Sequence, residues 1–184
     1  KTGTITQNKL SVVDSVAFGK YNKTDAIKMA SLASKEEGMD AIDLAIINYS
    51  KSIAINFDEY EQISYIPFDP KSKRTETVLK FDGTYYRIIK GAAQTIISLC
   101  GNIDDVTMGN VKKTIDRFSK KGYRTIAIAI SIDGDKSNPK LLGLLAIADP
   151  PREDSKMMIS EIRNLGIKPI MLTGDSIAIA QEVS

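Results

Sequence analysis

The 184-residue sequence has no histidine, no tryptophan and a single cysteine. Without histidine there is no basis for a zinc cluster or for a Ser/His or Cys/His relay, and one cysteine excludes an internal disulfide. No stretch approaches the roughly 18 to 20 apolar residues that a membrane span needs, and no signal-peptide pattern is present, so a soluble chain without membrane contact is expected. The net charge of +2, with 26% charged residues and dispersed lysines, makes no basic patch for nucleic acid. There is no internal repeat and no low-complexity segment. What remains is a chain with 42% apolar residues, ordinary for a globular protein of one large domain or two small ones.

Periodicity divides the chain in two. Residues 10–18 read as a strand, Thr24 as the cap of a helix to about Ser34, and 40–50 as a second helix. In that helix Ala41, Ile42, Ala45, Ile46 and Tyr49 share a face, leaving Asp40, Asp43 and Asn48 on others. Strands are expected over 60–68, 74–81 and 84–90, the last two joined by Asp82-Gly83, a strong hairpin signal. Helices over 92–99 and 106–121 follow, the first ending at Cys100, expected in the core, and the second closed by Gly122. A β-branched strand spans 124–132, and the polar stretch 133–140 reads as a connector. Beyond it come an apolar strand at 141–148, a helix at 153–165, a buried strand at 168–172 and a helix from Ile177. Continuous apolar strands alternating with helices imply a parallel sheet. The expected fold is therefore α+β: an antiparallel sheet with flanking helices (10–138) inserted into a partial Rossmann-like α/β domain (1–9 and 139–184).

Six short clusters carry the candidate chemistry. Lys1-Thr2-Gly3-Thr4 offers a cation, hydroxyls and unhindered N–H groups, the donors that hold a phosphoryl group. Thr173-Gly174-Asp175 follows an apolar run that would deliver it to the rim of a parallel sheet, although the same residues also read as a plain helix N-cap. Phe68-Asp69-Pro70-Lys71-Ser72-Lys73 sets one aromatic beside cations, fit to stack a purine and neutralise phosphates; a core ring followed by a wet turn is the duller account. Lys90-Gly91-Ala92 passes from strand to helix over small residues that permit close approach, or is an edge-strand lysine. Gly122-Tyr123-Arg124-Thr125 puts an arginine at a strand start, and Asp149-Pro150-Pro151-Arg152 is a rigid strand exit flanked by opposite charges.

Taken in chain order the clusters resemble the cytoplasmic part of a P-type ATPase, a cation pump that forms an aspartyl-phosphate. The wording around Phe68 and Asp40-Ala41-Ile42-Asp43 is similar to plasma-membrane proton pumps. The resemblance spans the whole chain. It implies a nucleotide-binding domain within a haloacid dehalogenase-like phosphorylation domain, with ATP and magnesium as cofactors. It implies that Phe68 stacks adenine, that Asp43 meets the adenine edge, and that Lys73, Lys90, Gly91, Arg124, Asp149 and Arg152 complete the nucleotide site. Lys1, Thr2, Thr173, Gly174 and Asp175 match the phosphoryl site, with a Thr2 backbone oxygen for magnesium. The acceptor aspartate would stand just before Lys1, and a Gly-Asp-Gly-x-Asn-Asp motif beyond Ser184. Ala93, Gln94 and Ser176 depart from the commoner Pro, Glu and Asn. The chain alone is thus expected to bind ATP or ADP as a monomer without phosphorylating itself, at the cytoplasmic face of a membrane. Its expected partners are the remaining phosphorylation, actuator and transmembrane domains of a parent pump. The alternative is a soluble phosphohydrolase of the haloacid dehalogenase type whose middle module is a substrate cap.

Overall fold

The computed structural model describes residues 2–57, 60–132, 138–174 and 179–181. Six strands form one antiparallel sheet, in the order β1 (Ser11–Ala17), β6 (Lys140–Ala148), β5 (Arg124–Ile132), β4 (Thr84–Ala92), β3 (Arg74–Phe81) and β2 (Glu61–Asp69). The β3–β4 hairpin turns through Asp82 and Gly83, both at positive φ (46° and 76°), as a two-residue primed turn requires.

Helices α1 (Lys23–Leu32) and α2 (Ala41–Ser52) cover one face, with α3 (Ala93–Leu99) and α4 (Asp105–Lys120) on the other. The first core joins Ile27, Ala30, Ala45 and Ile46 to Leu79, Ile88, Ile128 and Leu145. The second joins Ile96, Val111 and Phe118 to Ile89, Ala127, Ala129 and Leu144. Asn22, rather than Thr24, starts α1: its side chain accepts from Asp25 N (3.0 Å) while Asp25 accepts from Asn22 N (2.9 Å), a reciprocal cap that Thr24 is too far along the chain to make. Asp40 caps α2 by accepting from the N–H groups of Ile42 and Asp43.

The expected parallel strand at 141–148 is corrected. β6 runs antiparallel to both β5 and β1, inside the same sheet as residues 11–132. Its unbroken apolar run has a different cause from the one assumed: helices cover both faces of an antiparallel sheet, so neither face of β6 needs polar residues. The boundary drawn between 138 and 139 therefore falls just ahead of a strand of the same sheet. The buried strand expected at 168–172 is also corrected. Those residues form no strand, and Ile170 and Leu172 are exposed, because no neighbouring strand among the described residues offers them a ladder. Helix α5 (Ser155–Asn164) is present, as expected, and buries no residue. Residues 179–181 are helical, while Ile177, where the last helix was expected to begin, lies outside the described residues.

Candidate functional site

Four strand ends and one helix start converge at one end of the sheet. There a cleft of about 300 Å³ is bounded by Asp40, Ile42 and Asp43 of α2, Phe68 of β2, Thr75 of β3, Lys90-Gly91-Ala92 of β4 and Arg124-Thr125-Ile126 of β5. The Phe68 ring is 51% exposed, so it is a wall of the opening and not a core side chain.

The floor is ionic. Lys90, in a central strand and not at an edge, is 3% exposed, and its Nζ pairs with Asp43 Oδ1 and donates to Ser34 Oγ at 2.6 Å. Asp43, expected off the buried face of its helix, is itself buried, because the Lys90 ammonium compensates its charge. Its other oxygen, Oδ2, accepts from Lys35 N (3.1 Å) and from Tyr65 OH (3.4 Å). Burial holds the Lys90 ammonium below the usual lysine range, against the opposing pull of the Asp43 and Asp40 carboxylates. Burial and the Asp43 charge push the Tyr65 hydroxyl up to about 12.

Gly91 is small for a structural reason as well. A Cβ there would lie 2.3 Å from the Lys73 carbonyl oxygen, which accepts from Ala92 N at 3.2 Å. The turn after Phe68 thus folds its backbone onto the strand carrying Lys90. Lys73 itself sits in that turn at φ 52°, exposed, and contributes no lining to the cleft.

A second, larger cleft of about 580 Å³ lies alongside, bounded among others by Thr2, Lys9, Lys121, Arg124 and Asp149. Arg124 borders both. Asp149, on the wall of that cleft, and Arg152 also make a clamp: Asp149 accepts from Thr6 Oγ1 (2.5 Å) and Lys9 N (3.1 Å), while Arg152 Nη2 donates to Gly3 O (3.1 Å). Thr6 bridges Pro151 antiparallel, and Ser155 Oγ donates to Ile5 O (2.7 Å), so residues 3–9 and 149–155 are bound together beside the sheet. The charges flanking the prolines thus have partners that sequence could not supply.

The structure therefore brings together Asp43, Phe68, Lys90, Gly91 and Arg124, and places Thr2, Asp149 and Arg124 around the neighbouring cleft. Thr173 and Gly174 are exposed and line neither. Lys1 and Asp175 lie outside the described residues. Sequence reading missed Ser34 and Tyr65, which brace the ion pair from another helix end and another strand, and Thr75 and Thr125, which line the opening. Only the motif neighbourhoods of Thr75 and Thr125 could have flagged them.

A family profile described as P-type ATPase, cytoplasmic domain N, matches residues 20–154. Among curated proteins, a putative cation-transporting ATPase of Methanocaldococcus jannaschii is 37% identical over 186 residues, covering 100% of this chain and 22% of the relative. A probable plasma membrane ATPase of Dictyostelium discoideum is 35% identical over 188 residues, covering 100% of this chain and 18% of the relative. The chain thus spans roughly a fifth of the length of the curated relatives it matches. Two crystal structures of a zinc-transporting PIB-type ATPase, in different states of its cycle, align over 100% of this chain and 26% of theirs, with TM-scores of 0.72 and 0.74. At 22% identity, that likeness shows the shared fold alone. No helix among the described residues is long and apolar enough to cross a membrane.

Proposed function

Because the chain belongs to the P-type ATPase family, matching its cytoplasmic N domain over residues 20–154, we propose that it is the ATP-binding module of a cation pump. The observation that carries this reading is the half-exposed Phe68 ring standing at a cleft whose floor is the buried Lys90–Asp43 pair. The ring stacks the adenine, and base–aromatic stacking contributes about 1 to 3 kcal/mol. Arg124, shared by the two clefts, draws the phosphates from the smaller into the larger one, where Lys9 and Lys121 add positive charge.

In the parent pump the phosphoryl group passes to an aspartate, with the segments 1–9 and 149–184 contributing to the phosphorylation domain. This boundary differs from 139 because β6 lies in the N-domain sheet. Catalysis of that step rests on positioning and charge neutralisation, and the described residues supply positioning and cations without a nucleophile. Magnesium accompanies ATP in that chemistry. Among the described residues no three potential ligands cluster as a metal site. The chain alone is non-catalytic and monomeric. Proton specificity is the finer part of the proposal, supported by the motif wording and by the likeness to a protein named a probable plasma membrane ATPase. The phosphohydrolase alternative is weaker, since the matching family profile covers the module that it treats as a cap.

An ATP titration followed by amide shifts tests the proposal. Shifts concentrated at Phe68, Lys90 and Arg124 are expected, and none at millimolar nucleotide would remove the basis for it. Phe68→Ala is expected to weaken binding far more than Lys20→Ala.

A further inference from the structure

Resting on the nucleotide reading above, we infer that Tyr65 is a positioning residue: it latches edge strand β2 to helix α2 and so fixes where the Phe68 ring stands. β2 ends the sheet and pairs with β3 alone. Eight of its nine residues are exposed and none belongs to either core, so the helical layers do not hold the strand in place by burial. Its ladder is interrupted as well. The register shifts between Ile66 and Asp69, the stretch that carries Phe68, and Pro67 within it has no N–H to donate. A ring that has to meet a base in one orientation thus sits on the most exposed strand of the sheet.

Two ties compensate, one on each side of Phe68. After it, the turn is fastened to β4 through Lys73 O, which accepts from Ala92 N (3.2 Å). Before it stands Tyr65, the one half-buried residue of β2. Its hydroxyl donates to Asp43 Oδ2 (3.4 Å), and the Lys35 ammonium lies 4.8 Å from the centre of its ring. Lys35 N donates to the same Asp43 oxygen (3.1 Å), so strand, interhelical loop and helix meet at one carboxylate. Among the described residues, Tyr65 is the one β2 side chain that hydrogen-bonds to a helix. Its hydroxyl, pushed up to about 12 by burial and the Asp43 charge, stays protonated and donating at neutral pH. The contact is long for a hydroxyl on a carboxylate, where about 2.5 to 2.7 Å is usual, which leaves slack for a seated base to take up.

The test uses the intact 184-residue chain as wild type, Tyr65→Phe, Phe68→Ala and the double variant, followed by amide hydrogen exchange and by titration with ATP, ADP and AMP. Phenylalanine keeps the ring beside Lys35 and removes the hydroxyl. Positioning predicts that Tyr65→Phe exchanges faster in β2 but not in β4 or β5, and that its affinity falls about two- to tenfold, by the same factor for all three nucleotides. Once the Phe68 ring is gone the place of β2 no longer matters, so adding Tyr65→Phe to Phe68→Ala is expected to cost less than about twofold more. Faster exchange throughout the sheet, unchanged affinity, or losses that multiply in the double variant would each overturn the assignment. If wild type binds none of the nucleotides, the ATP-module reading falls and takes the positioning role with it. If wild type binds and Tyr65→Phe binds equally well, only the role of Tyr65 falls.

Discussion

Two apolar stretches of this chain meet opposite fates. Strand Lys140–Ala148 is buried nearly throughout, whereas Leu165, Ile167, Ile170 and Leu172 are 77%, 57%, 78% and 83% exposed. The sequences are similar in kind, so composition is not the cause. β6 has a strand on each side to satisfy its backbone and a helical layer on each face to exclude water. Residues 165–172 have neither among the described residues. An apolar run is a demand for a partner, and burial records whether the partner is there. The ion pair at the cleft obeys the same rule, since Asp43 and Lys90 are buried because each meets the other.

The sharpest way to break this comparison is to remove one half of that pair. Asp43→Ala leaves the Lys90 ammonium buried and uncompensated, with an expected loss of about 3 to 5 kcal/mol in chemical denaturation. The double replacement of Asp43 by Leu and Lys90 by Met is expected to recover much of it, and no recovery would mean that packing, not charge, sets the cost.

Truncating the covered strand comes next. Leu145, fully buried, is expected to cost about 2 to 5 kcal/mol as Leu145→Ala. Phe68 stands where the cover stops. Phe68→Ala is expected to reduce ATP binding by about 1 to 3 kcal/mol, measured by titration, while thermal unfolding barely moves. Leu165→Ala, in the uncovered segment, is expected to stay within about 0.5 kcal/mol of wild type, and a larger loss would reveal a partner for it.

The last expected effect is a pH dependence. Tyr65 ionises near 10 in the unfolded chain and at about 12 in the fold. The folded state thus holds more protons between those values, so stability is full below pH 10 and falls as pH rises through the interval. Denaturation midpoints across that range in wild type and Tyr65→Phe check it, with the flatter profile expected from phenylalanine.

Much of the architecture was legible locally. Five of the six strands of the sheet and the helices α1 to α4 follow from period, hairpin and capping signals, each decided by neighbours within a few residues. The last strand, β6, was located but given the wrong partners, because a strand covered on both faces reads alike in parallel and antiparallel sheets. Phe68, Lys90, Gly91 and Arg124 were legible at the site because each sits at a strand end marked by glycine, proline or a turn. Tyr65, Ser34 and the buried state of Asp43 were not, since Lys90 reaches Ser34 across 56 positions and Asp43 across 47.

By itself, then, the sequence determined which segments between residues 10 and 165 are strands or helices, which family they spell out, and which ring and cations could meet a nucleotide. Tertiary structure alone decided that β6 lies inside an antiparallel sheet, that Asp43 and Lys90 neutralise each other under it, and that Asp149 and Arg152 tie residues 149–155 to residues 3–9. The physical reason is one of range: propensity, caps and turns act over a few residues, whereas burial, charge compensation and hydrogen-bond satisfaction depend on groups that only folding brings into contact.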